Sequence, residues 1–128
     1  MNKIELEKVS IELLAPHIVL VTPKNDCIIE VEDIKKIKET NLKITNGKKY
    51  GVISYTGINS SVSTEGRKYL ASRKIEKNKL AAAYIITQLP QRLLFNFFIK
   101  FNKPSVLTKS FSEQQAALKW VKKILANS

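Results

Sequence analysis

The chain has 128 residues, 44% hydrophobic and 26% charged, a composition that supports a single domain over residues 1–128 with a buried core and excludes a disordered chain. Twenty-two Lys and Arg against 11 Asp and Glu give a formal charge of +11. The charge is polarised: residues 1–33 hold three bases and seven acids, a net of −4, and residues 34–128 hold nineteen bases and four acids, a net of +15. Only Arg67, Arg73 and Arg92 are arginine, and scattered lysine without Arg forks or interleaved aromatics reads as solvated surface, so nucleic-acid binding is disfavoured. Cys27 is the one cysteine, which excludes an internal disulfide and a multi-cysteine metal site. No apolar run has the roughly 18 residues of a membrane span, and the opening MNKIELEKVSIELL lacks the apolar block of a signal peptide, so a cytoplasmic protein is expected.

The opening KIELEKVSIELL alternates apolar and polar residues with a change of face in the middle, and HIVLVT follows Ala15-Pro16. Together they predict a hairpin with a bulge. Val31, Ile34, Ile37 and Leu42 fall at helical spacing, and NGKK at residues 46–49 ends that helix. The runs GVISY and KLAAAYIITQL are almost continuously apolar, the pattern of central strands covered on both faces. Between them STEGRKYLAS predicts a helix with Tyr69 and Leu70 facing inward. Ser63 is placed to cap its start, with Glu65 in the first turn where a carboxylate suits the helix dipole.

Pro90 opens the aromatic helix of residues 90–103, PQRLLFNFFIKFNK. Leu93, Leu94, Phe95, Phe97, Phe98, Ile99 and Phe101 cover an arc of about 240°, leaving one narrow polar edge of Arg92, Asn96, Lys100 and Lys103. One sheet face cannot cover so wide an arc. Phe95, Phe98 and Ile99 are therefore expected to meet a second copy of the domain or an apolar, lipid-like ligand whose polar end lies near Arg92 and Lys100. PSVLTKSF predicts a last strand. The tail is a helix with Ser112 and Gln115 as a capping box, Phe111 and Ala116 at the staple positions, and a stripe of Ala117, Trp120, Val121, Ile124 and Leu125. The sum is an α/β domain with a mixed sheet of five to six strands and about four helices.

The strand KPSVLTKS followed by FSEQQAALKW, an F-x-x-x-x-x-A-x-x-W signature on the last helix, resembles small bacterial domains of the STAS type, the SpoIIAA-like fold of anti-sigma-factor antagonists. STEGRKYLAS, AAAYIIT and RLLFNFFIKFNKP are similar to the helix, strand and aromatic helix that follow in that group, and CRAL-TRIO lipid-transfer domains are related in shape. The resemblance spans nearly the whole chain and implies a regulatory or ligand-binding module, with no reaction and no cofactor. It also implies that the loop TGINSSVSTEG stands where regulatory members are phosphorylated, which singles out Ser60, Ser61 and Ser63. Asn59 stands before the serine pair where that pattern has Asp, and Val62 where it has Gly.

Catalysis has little to draw on. The only histidine, His17, has no evident acid partner, and Gly47, Gly51, Gly57 and Gly66 match no phosphate-cradle spacing. The expectation is a non-enzymatic STAS-like module acting through a protein partner or a homodimer. Apolar-ligand binding by the aromatic helix and weak nucleic-acid binding by the lysines are the rivals.

Overall fold

The computed structural model describes residues 3–72, 77–102, 104 and 106–128. It opens with an antiparallel ribbon in which β1 (Ile4–Glu5) pairs with β2 (Val9–Ala15) and β2 with β3 (Ile18–Pro23). The change of face falls at the break between β1 and β2, where Leu6 N–H binds Val9 O at 2.8 Å, so the opening is two strands and not one bulged strand; the β2–β3 register shifts elsewhere, between Leu13 and Ala15. His17 takes a left-handed φ of 64° in the turn that follows.

Beyond β3 the strands run parallel. The chain continues as β4 (Ile28–Ile29), α1 (Val31–Ile44), β5 (Tyr50–Tyr55), β6 (Ser61–Val62), α2 (Thr64–Ala71), β7 (Lys79–Ile85), α3 (Leu89–Asn102), β8 (Leu107–Phe111) and α4 (Gln114–Ala126). The main sheet has six strands in the order β1-β2-β3-β5-β7-β8, parallel from β3 to β8. The two-residue strands β4 and β6 form a separate parallel pair that the sequence pattern does not announce.

Period-two side-chain alternation divides the core between the two sheet faces. On one face Val9, Ile11, Val19, Val21, Tyr50 and Val52 meet Ile34, Ile37 and Leu42 of α1 and Tyr69 and Leu70 of α2. On the other, Ile18, Leu20, Ile53, Ala81, Ala83 and Ile85 meet Ala117, Val121 and Ile124 of α4. This two-sided cover is why Ile18 to Val21 are all buried and why GVISY and KLAAAYI read as unbroken apolar runs. The helix lies so close that a Cβ on Gly51 would run into Val121 Cγ1. Near the N-terminus of α1, Lys8 Nζ bridges to Asp33 Oδ2 at 2.9 Å and donates to Ile28 O at 2.7 Å.

Two local expectations are corrected. Ser112 and Gln115 do not form a capping box, because β8 continues through Phe111 and Ile86 N–H binds its carbonyl at 2.9 Å. The chain therefore leaves the sheet late, and α4 begins at Gln114 with Glu113 at the N-cap position and no side-chain cap. Phe111 packs on Trp120 with ring centroids 5.6 Å apart, leaving Trp120 half-buried. Pro90 sits second in α3, after Leu89, still within the first turn where its missing N–H is not needed. Lys103, assigned above to the polar edge of α3, lies outside the described residues.

Candidate functional site

The serine loop is held by a second loop rather than by chemistry. Residues 56–60 run from β5 to β6 beside residues 24–27, which run from β3 to β4. Asp26 N–H binds Ile58 O at 2.9 Å, Ile58 N–H binds Asn25 Oδ1 at 2.8 Å and Asn59 Nδ2 donates to Asp26 Oδ1 at 2.9 Å. Gly57 lies so near Lys24 that a Cβ would strike its carbonyl oxygen. Ser60 fastens the two loops, donating to Lys24 O at 2.6 Å and accepting from Cys27 N–H at 3.2 Å. Ser63 accepts from Gly66 N–H at 3.0 Å and so caps α2, as its position before Thr64 and Glu65 dictates. Ser61 is different: it is exposed in β6, and its hydroxyl makes no hydrogen bond among the described residues.

Helix α3 has two apolar faces. On the inner one Gln91 Nε2 donates to Gly57 O and its Oε1 accepts from Thr56 Oγ1, both at 2.7 Å. Phe95 packs on Tyr84 with centroids 5.4 Å apart, and Phe98 is buried. Of the residues chosen from sequence, then, Phe98 belongs to the interior, Phe95 and Ile99 are half-buried, and Arg92 and Lys100 are exposed. The outer face consists of Leu89 and three members of the apolar arc, Leu93, Phe97 and Phe101, other than those expected to make the contact. Leu89, Leu93, Phe97 and Phe101 are 63%, 60%, 54% and 62% exposed. Their four-residue spacing aligns them along the helix. Phe97 and Phe101 stack at 4.4 Å, and Lys100 Nζ lies 5.5 Å from the Phe101 centroid.

Behind α3, α2 and α1 the sheet face is incompletely filled. One cavity of about 140 Å³ is lined by Val9, Val21, Ile34, Asn41, Val52 and Tyr84 among others. A second of about 110 Å³ lies under Phe95, Phe98, Leu94 and Ile86. The two adjoin, sharing Thr56, Ser60, Ser61, Val62, Leu70 and Tyr84. Burial pushes the Tyr84 phenol above its usual value, so it stays neutral.

His17 is exposed at the β2–β3 turn. Among the described residues no group of three His, Cys, Asp or Glu could hold a metal, and no helix is long and apolar enough to cross a membrane.

Comparison with solved structures gives a match to the crystal structure of an uncharacterized protein of the DUF3478 family with a SpoIIAA-like fold, from Shewanella loihica PV-4. The two are 14% identical with a TM-score of 0.63, over 94% of this chain and 99% of that one. At that identity the likeness speaks to the fold, and it agrees with the STAS-type architecture that FSEQQAALKW and the strands before it suggested. No curated protein matches. A family model described as a domain of unknown function, DUF7793, matches residues 13–125, from the middle of β2 to the last turn of α4; the chain belongs to this family, built on a SpoIIAA-like fold.

Proposed function

We infer that the chain is a non-enzymatic, STAS-like interaction module that acts by binding another protein through the outer face of α3. The observation that carries this is the stripe of Leu89, Leu93, Phe97 and Phe101, each more than half exposed. It runs for about 18 Å along one side of the helix, the kind of contiguous apolar surface that marks an interaction site rather than a scatter of exposed side chains. Burying its two phenylalanines is worth about 3–6 kcal/mol, enough to support association after ordering costs.

The charge around the stripe selects the partner. Arg92 and Lys100 border it, and the chain carries +11 overall. A two-fold pairing of copies would set these like charges against each other. The fitting partner is a protein whose apolar face is edged by Asp and Glu. Regulation by phosphate on the serine loop would use Ser61, because modifying Ser60 or Ser63 would break the loop clasp or the helix cap.

The test is site-specific photocrosslinking in cells, with p-benzoylphenylalanine at position 97 and, as control, at exposed Lys36 on α1. A discrete adduct with a different, acidic protein at position 97 only, lost with Phe101→Ser, supports the reading. No adduct at position 97, or an adduct between two copies of this chain, overturns it.

A further inference from the structure

We propose that the adjoining cavities between the sheet and α1, α2 and α3 bind a small, neutral, mainly apolar molecule bearing one hydroxyl, of the size of a single-ring phenol. This site is separate from the outer face of α3 and does not depend on it. Three observations lead there. The first is size and lining: about 140 Å³ with ten Val, Ile and Tyr side chains in its walls and Lys38 and Lys79 also among the lining residues, adjoining about 110 Å³ walled in part by Phe95, Phe98 and Ile86. An aliphatic cavity of roughly 150 Å³ takes up benzene in water, so a single ring fits the first chamber.

The second is Asn41. It lies on α1, lines the larger cavity and is only 3% exposed, yet its Oδ1 is buried with no hydrogen-bond partner among the described residues. Buried amides are nearly always satisfied, and one that is not needs a reason. Half a turn of the amide exchanges its oxygen for its NH₂, so this side chain can offer either an acceptor or a donor to a molecule in the cavity.

The third is Tyr84. Its ring lies in the walls of both chambers, and its phenol makes no hydrogen bond among the described residues. Being held neutral, it can donate or accept. Two unpartnered neutral polar groups in one apolar enclosure match a guest whose single polar group is also neutral and able to do both. A hydroxyl is the smallest such group.

The probe is 4-methylphenol, titrated into the full chain and followed by saturation-transfer NMR and calorimetry, with toluene and hexanoate as comparators. Binding of 4-methylphenol about five- to tenfold tighter than toluene is expected, the worth of one hydrogen bond. Tyr84→Phe, which removes one oxygen and leaves the ring, should abolish that preference or halve it while leaving toluene binding unchanged. Asn41→Leu should also lower the ratio of 4-methylphenol to toluene affinity, with both affinities reduced because the bulkier leucine takes up part of the larger chamber. Equal affinity for toluene and 4-methylphenol, or no binding of either at millimolar concentration, overturns the proposal. Salt-sensitive binding of hexanoate tighter than 4-methylphenol would overturn it too, by moving the polar end to Lys38 and Lys79, which also line the larger cavity.

Discussion

Asn41→Leu tests the account of the α1–sheet interface. An amide oxygen buried without a partner costs about 1–3 kcal/mol of folding free energy, and replacing it with an apolar group of similar size removes that cost. Leu also exceeds Asn in helix propensity by a few tenths of a kcal/mol in the body of α1. Leucine is the bulkier side chain, but the wall it occupies faces about 140 Å³ of unfilled space, so the overpacking that usually penalises such a change has somewhere to go. In ligand-free protein the variant should be more stable by about 1–3 kcal/mol, with the melting temperature rising by about 4 °C per kcal/mol at this chain length. Urea unfolding followed by Trp120 fluorescence gives the free energy, and circular dichroism gives the melting curve. Asn41→Ala separates the parts, since it removes the orphan while enlarging the cavity and should come out close to wild type. If Asn41→Leu and Asn41→Ala both lost more than about 1 kcal/mol, the amide would have a partner and the reasoning would fail.

Features that depend on neighbours in sequence were legible before the structure, and those set by distant contacts were not. The cap at Ser63 follows from a hydroxyl immediately before Thr64-Glu65-Gly66, and the end of α1 from Asn46-Gly47, where left-handed φ values of 55° and 70° appear. The central strands showed in GVISY and KLAAAYI because cover on both faces leaves no polar alternation. Ser112 carried an equally good local signal and still does not cap, because pairing of β8 with β7 holds Phe111 in the sheet. The rotation of α3 about its axis is the sharper case. Its composition revealed an excess of apolar surface, but which part faces the sheet is settled by Gln91 on Thr56 and Gly57 and by Phe95 on Tyr84. Those contacts invert the first choice, turning Phe98 inward and Phe97 and Phe101 out. The cavities have no sequence signature, because they arise where side chains from nine elements, β2 to β7 and α1 to α3, fail to meet, and Asn41 reads in sequence as an ordinary polar residue on a helix.

Two further predictions concern how the helices are tied down. Ser63→Ala should cost about 1 kcal/mol and Ser63→Asp should recover much of it, since either oxygen can accept from Gly66 N–H; an unchanged melting curve for Ser63→Ala would remove the cap from the account. The Lys8–Asp33 bridge gives a pH signature. Partial burial pushes the Asp33 carboxyl up, but the hydrogen bond from Lys8 and the Glu30 N–H outweigh it and hold the group below the usual carboxylate value. The hydrogen bond to Asp33 raises Lys8. A carboxyl held low stabilises the fold above its unfolded value near 3.8 and loses that contribution as pH falls through its folded value. An ammonium held high contributes below 10.5 and loses its contribution as pH rises through its folded value. The bridge therefore acts in full between these limits, across neutral pH. Asp33→Asn should lower the urea midpoint at pH 7 and pH 5, and the gap to wild type should narrow as pH falls below 3.8 and through the lower folded value, where the wild-type carboxyl also becomes neutral. Unfolding curves at pH 7, 5 and 3 measure it. A gap that stays constant down to the most acid point would mean that Asp33 holds α1 by packing and neutral hydrogen bonds, with its charge contributing nothing.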